Sequence, residues 1–328
     1  MNIKDIFLNR VGRLRSGWRI AISALLLYLG IRLTFILVGT ALYGILGASA
    51  EMVLDGRWGF VIQGFALLVP ATLVGWGCGK FLEDLPPRAL GWGFQKGWLR
   101  DFLYGSLIGA ASLLLATAIP MMTGSLRFTL NAPLLFATIG KTVLISIPIF
   151  VIAAAAEEAI FRGYPLQTMA RSHLAWVSII ITSIIFSSGH LDNPNVVPGF
   201  TFINTAIAGV WLAIAYLKTR NLWFPLGIHW AWNWTMAALL GLPVSGITRL
   251  TPDPLLRASD VGPAWITGGV YGIEGGAACT VALILSTIFI WRTRLVSADP
   301  EMLRLTDQEN PERAQPPLTI FERPAGEN

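Results

Sequence analysis

Residues 18–46 read WRIAISALLLYLGIRLTFILVGTALYGIL, with Arg19 and Arg32 as the only charges. As a helix rising about 1.5 Å per residue, this stretch exceeds the roughly 20 residues needed to cross a hydrocarbon core of roughly 30 Å. Similar runs recur along the chain. Their bounds predict spans near Trp18 to Leu46, Phe60 to Phe81, Phe102 to Met122, Pro133 to Ala156, Ala175 to Gly189, Val197 to Leu217, Leu222 to Leu240 and Gly268 to Trp291. The 328 residues are 54% hydrophobic and only 13% charged, against roughly a quarter charged in a soluble domain. The expected fold is therefore all-α, a polytopic transmembrane helix bundle of about eight spans in a cell membrane. No stretch alternates with strand periodicity, and no soluble domain is expected. Small-residue cleavage chemistry does not follow the first run, which reads as a retained helix.

Lysine and arginine set the orientation. Of the 24, 18 fall on one side of the predicted spans: the amino-terminal arm (Lys4, Arg10, Arg13, Arg15, Arg19), Lys80 to Arg100, Arg162, Arg171, Lys218, Arg220 and everything after Trp291. Only Arg57, Arg127, Arg249 and Arg257 fall on the other, and Arg32 and Lys141 lie within spans. The excess marks the cytoplasmic side and predicts that both termini are cytoplasmic. The net charge of +5 is scattered over loops rather than gathered on one face, so anionic lipid headgroups of the bilayer are the expected partner and nucleic acid is not.

The chain divides into amino-terminal helices and an interfacial segment (1–132), a central core (133–241), an extracytoplasmic loop with the last helix (242–296), and a Pro- and acid-rich tail (297–328) expected to be disordered. Trp92 and Trp98, among glycines, prolines and basic residues between Glu83 and Arg100, suit the headgroup layer. Gly105 with Gly109, and Gly268 with Gly272 and Gly276, have the small-xxx-small spacing that brings helices close. Cys78 and Cys279 lie in apolar runs and read as small core residues.

Polar groups inside apolar spans are costly and call for a partner or a function. The segment 153–163, AAAAEEAIFRG, places Glu157 and Glu158 at the expected cytoplasmic end of the fourth span. Glu158 and Arg162 are four apart, in the favourable order for a same-face ion pair. Glu157, about 100° round the helix, is then left free, and in a partly desolvated cavity it suits a general base acting on water. Both glutamates equally fit an interfacial helix end. In 227–234, GIHWAWNW, His229 and Asn233 share a helix face; they fit a site or interhelical hydrogen-bonding glue. In 186–190, FSSGH, His190 precedes a polar stretch and also fits a loop-adjacent structural role, while His173 reads as an ordinary loop residue. Taken together, one carboxylate, two imidazoles and an amide suffice to hydrolyse a peptide bond, or to hold a metal with an open position for water.

These residues also resemble a family. EExxxR (Glu157, Glu158, Arg162), FxxxH (Phe186, His190) and HxxxN (His229, Asn233), in that order over roughly 134–240, resemble the CPBP family of CAAX-type intramembrane proteases, also called ABI or type II CAAX prenyl endopeptidases. Leu90 to Trp92, reading LGW, is a softer match. The resemblance implies an intramembrane endopeptidase whose cavity is reached from the cytoplasm and whose substrate is a membrane-associated peptide or protein. It implies that Glu157 activates water with His190 assisting, that His229 and Asn233 steady the oxyanion, and that Glu158 and Arg162 shape the site. It leaves open a metalloenzyme, with a divalent ion such as Zn2+ on Glu157, His190 and His229, or a metal-free glutamate mechanism.

One depth does not close. A fifth span beginning near His173 carries His190 about 25 Å along the helix, almost to the outer face, while Glu157 and His229 are expected nearer the cytoplasm. A tilted helix or a re-entrant piece at Ser187 to Gly189 are the two expected remedies. A non-catalytic binding or immunity protein of the same fold, and a transporter exploiting buried Arg32 and Lys141, are the competing readings.

Overall fold

The computed structural model describes residues 6–9, 11–131 and 136–306. The expectations for Lys4, Arg10, the start of the fourth span at Pro133 and the tail beyond Thr306 lie outside them. Each predicted span is matched by a helix: α1 Ser16–Leu46, then, after a short α2 Ser49–Asp55, α3 Arg57–Glu83, α4 Trp98–Met122, α5 Phe136–Glu158, and beyond it α6 Tyr164–Arg171, α7 Ala175–Ser188, α8 Phe200–Thr219, α9 Trp223–Trp234 and α10 Ala277–Arg292. α5 runs through a π-helical turn, Ala159–Gly163, straight into α6, and α9 is prolonged by a second π turn, Thr235–Leu239. Among the described residues five helices are long and apolar enough to cross a membrane: α1, α3, α4, the continuous rod Phe136–Arg171 and α8; α7 and α10 are apolar but shorter. The chain is a helical membrane protein.

Close helix approach is paid for by glycine. A Cβ at Gly105 would sit 2.3 Å from the Phe224 carbonyl oxygen, one at Gly109 2.1 Å from that of Ile228, and one at Gly227 2.2 Å from that of Phe102. The first small-residue pair thus seats α4 directly against α9, the helix that carries His229. The second set does otherwise. Gly268 and Gly272 have φ of 83° and 95° and lie in tight 3-10 turns before α10 begins at Ala277, so they shape a loop rather than a helix seam.

Three further expectations change. A two-stranded antiparallel sheet pairs β1 Leu126–Leu130 with β2 Leu256–Asp260, Leu126 opposite Asp260 and Leu130 opposite Leu256. Five residues with alternation in one strand alone are too few to announce it, and the partner is over a hundred residues away. The tail begins with a helix, α11 Pro300–Thr306, whose Met302 and Leu305 are buried with Leu85 and Ala89, so it is ordered at least to Thr306. Arg32 and Lys141 are exposed on the outside of the bundle rather than buried in it, which removes the main support for a transport path.

At the end of the bundle that holds the start of α1, Glu83 accepts from Arg171 and from Thr168 (2.6 Å) and pairs with Arg19 (2.6 Å), all three charged groups being fully buried. Arg88 pairs with Glu301 nearby, and Trp92, Phe94 and Trp98 pack on Trp223. Gly109→Ala forces a side chain into backbone and should lower stability by about 1–3 kcal/mol. Gly39→Ala, with open space around it, should be neutral or gain up to about 1 kcal/mol from helix propensity. Thermal unfolding of the two purified variants in detergent checks the contrast.

Candidate active site

The continuous rod decides where the glutamates sit. Because the helix does not stop at Glu158 but continues to Arg171, Glu157 lies roughly 14 residues, or about 21 Å, from the end of the rod at Arg171. It is therefore well inside the bundle and not at a cytoplasmic helix end. His190 follows the far end of α7, which stops at Ser188, and His229 lies in the middle of α9 with its π extension. The depths now agree without a re-entrant piece, since Ser187 to Gly189 is an ordinary helix end with Gly189 in αR geometry.

Glu157, His190, His229 and Asn233 border one cavity of about 310 Å³, together with Phe186 and Trp232. Glu158 does not. It is 0% exposed and sits behind the imidazole, where its Oε1 lies 2.8 Å from His229 Nδ1 and 3.2 Å from Arg162 Nη1. The i,i+4 ion pair expected from the sequence is present, and the same oxygen also holds a histidine from another helix. Arg162 is anchored in turn: its Nη2 donates to the Gly209 carbonyl of α8 at 3.1 Å, and its guanidinium lies 4.8 Å from the Phe186 ring centre.

A carboxylate only accepts, so His229 must carry its proton on Nδ1 to make the bond to Glu158. That fixes the ring and turns Nε2 toward the cavity, 3.5 Å from Glu157 Oε2. The two atoms become a donor and acceptor pair when either carries a proton. With imidazolium, Glu157 is an anion beside a cationic donor. His190 is set by a different device: Nδ1 is 2.8 Å from the Phe186 carbonyl oxygen, so it donates there and leaves Nε2 for the cavity, while its ring packs at 4.7 Å on that of Phe186. Asn233 borders the cavity one helical turn from His229.

The two π turns follow directly on these motifs, one after Glu158 and the other after Trp234. An extra residue per turn re-aims the side chains that follow, and such bulges concentrate at functional sites. Small residues complete the placement. A Cβ on Gly64 of α3 would meet Ile152 at 2.8 Å, so α3 lies close against the alanine run before Glu157. A Cβ on Gly209 would meet Ser183 at 2.7 Å, and that close α7–α8 contact brings a backbone carbonyl within reach of Arg162.

Glu274 and Asn204, at the opposite rim of the cavity, were not singled out by sequence. Glu274 accepts from Trp232 Nε1 (3.0 Å) and from Ser245 N and Oγ (2.7 and 2.9 Å). Asn204 donates to the carbonyls of Glu274 (2.7 Å) and Gly276 (2.9 Å) and accepts from Thr280 (2.6 Å). The one available signal was a polar residue on an apolar run, as at Asn204.

The metal alternative is not matched by the donor arrangement. Among the described residues, no three His, Cys, Asp or Glu side chains converge as an ion would require, and Glu157, His190 and His229 do not form such a group.

Helices of one bundle thus bring an acid, two imidazoles and an amide to the wall of a single cavity. Residues 139–235 match the family described as type II CAAX prenyl endopeptidase Rce1-like, a match over that part of the chain that supports membership of the CAAX-protease, or CPBP, family. No curated protein and no solved structure matches the chain.

Replacing Arg162 strands a fully buried carboxylate. Arg162→Leu should destabilise the protein by about 3–5 kcal/mol, more than loss of any one exposed arginine such as Arg88, when both variants are unfolded thermally in the same detergent.

Proposed function

We propose that the protein is an intramembrane endopeptidase that cleaves a peptide bond in a membrane-associated polypeptide by a metal-free, glutamate-dependent mechanism. The observation that carries this is the 3.5 Å approach of His229 Nε2 to Glu157 Oε2 at the wall of a cavity shared with His190 and Asn233. Glu157 takes a proton from water as the oxygen adds to the scissile carbonyl carbon. The N–H groups of His229 and Asn233 stabilise the oxyanion, with His190 Nε2 assisting from the turn after α7. When the intermediate collapses, the proton held by Glu157 passes to the departing nitrogen, the C–N bond breaks, and a carboxylate and an amine result. Glu158 and Arg162 are positioning residues: they hold the His229 ring and its proton without facing substrate.

The chain crosses the membrane eight times with both termini in the cytoplasm of a cell membrane. Hydrogen bonds and ion pairs between helix ends and connecting segments support this count, because strict alternation puts every tied pair on the same side. Arg19, Glu83 and Arg171 fall together, as do Arg88 and Glu301. On the other side β1 pairs with β2, and Asn195 donates to the Gly246 carbonyl (3.3 Å). The positive-inside excess then assigns the first group to the cytoplasm.

Loss of the base should lower cleavage by about 10²–10⁴-fold. In Glu157→Gln, peptides with cut termini seen in wild-type membranes should vanish while their uncut parents accumulate and the protein level stays unchanged. They should persist when wild-type membranes are treated with a strong zinc chelator. Cleavage surviving in Glu157→Gln would favour a binding or immunity role for the fold, and cleavage lost to chelation and restored by Zn2+ would overturn the metal-free mechanism.

A further inference from the structure

Glu274 borders the same cavity as Glu157 but lies outside the matched stretch 139–235. It stands in a 3-10 turn, Ile273–Gly275, just before α10. Asn204 of α8 fixes that turn by donating to the carbonyls of Glu274 and Gly276. The side chain is fixed as well. Its Oε1 accepts from Trp232, and its Oε2 accepts from both the backbone N–H and the hydroxyl of Ser245. Trp232 follows His229 by three residues on one face of α9. A single indole thus joins this carboxylate to the helix that carries the reactive imidazole.

These bonds orient the charge without cancelling it. All three donors are neutral, and among the described residues no lysine, arginine or histidine forms an ion pair with Glu274. Oε1 accepts a single bond, so a carboxylate with about four lone-pair sites keeps room for another donor. The cavity supplies no fixed cation: among the described residues no lysine or arginine borders it, and its carboxylates are Glu157 and Glu274. Much of the remaining wall is apolar, including Phe60, Ile149, Phe150 and Leu212. A clamp on an indole and a serine needs no charge, because a carbonyl oxygen accepts as well. A rigid carboxylate without a counterion is costly in such surroundings. The same surroundings strengthen its attraction for a cation that enters.

We infer that Glu274 is a specificity-determining residue: it receives an ammonium or guanidinium group of the polypeptide that occupies the cavity while the scissile bond lies at Glu157. The group is a lysine or arginine side chain, or a free amino terminus. This rests on the protease reading for the scissile bond, whereas the cation preference is a property of binding alone. Trp232 sets the spacing between the two carboxylates, so the positive group lies at a fixed distance from the bond to be cut.

Binding to the full-length Glu157→Gln protein in detergent tests this, since that change stops turnover and removes the other carboxylate of the cavity. The probes are short fluorescent peptides of leucine, alanine and serine, capped at both ends, with one central lysine, norleucine or glutamate. A norleucine peptide with a free amino terminus completes the set. At least one cationic peptide should bind about 10–100-fold more tightly than the capped norleucine peptide, the range expected of one charge-assisted hydrogen bond. The glutamate peptide should bind most weakly. An advantage for the capped lysine peptide assigns the side chain, and one for the uncapped norleucine peptide assigns the amino terminus. Adding Glu274→Gln should shrink the advantage to within about threefold, and adding Glu274→Lys should turn it to the glutamate peptide. Cationic peptides that bind no better than norleucine overturn the inference, even if the Glu274 variants do not fold. An advantage that survives Glu274→Gln overturns it too. A cation preference that depends on Glu274, in a protein whose wild type cuts nothing, would fail only the protease reading.

Discussion

One oxygen of the Glu158 carboxylate, fully buried, accepts from both Arg162 and His229. An unpaired charge at such a place would cost several kcal/mol, so the two donors and the acid stand or fall together. Through them three helices are tied at one depth: the rod that carries both glutamates, α9 through the imidazole, and α8 through the Gly209 carbonyl. The tie also sets chemistry. By occupying Nδ1 of His229 it decides which nitrogen faces Glu157, and hence where the mobile proton can reside. A single buried acceptor therefore links the packing of the bundle to the orientation of the imidazole that faces Glu157.

The helical bundle could be read from the sequence because its signal is repeated and local: long apolar runs bounded by charge. The ion pair of Glu158 with Arg162 was also readable, since four residues on a helix make neighbours. What the sequence did not disclose was the length of the helix around that pair. Taking the glutamates as the helix end placed them at the cytoplasmic face and left His190 stranded at the other. The run Ile160-Phe161-Arg162-Gly163-Tyr164-Pro165 looks like a terminus, with a glycine and a proline close together, yet Pro165 falls in the first turn of α6, where its missing N–H costs little. The π turn carries the chain through.

Other features are hidden because they join distant residues. The β ladder pairs Leu126–Leu130 with Leu256–Asp260, and Glu274 gathers donors from Trp232 and Ser245. Neither has enough local periodicity to betray it. The second role of Glu158 is of the same kind: spacing offers it Arg162, but nothing local offers it His229, behind whose imidazole it stands. Polarity in an apolar run marks that a group is held, and only the fold says by what.

The most direct measurement of the central claim is nitrogen NMR of the protein with labelled histidine, which has only three imidazoles to resolve. The account predicts one ring, assigned by its absence in His229→Gln, with a strongly hydrogen-bonded Nδ1–H that moves upfield in Glu158→Gln and keeps that bond in Glu157→Gln. A His229 resonance that ignores Glu158→Gln, or one that carries no proton on Nδ1, would contradict it.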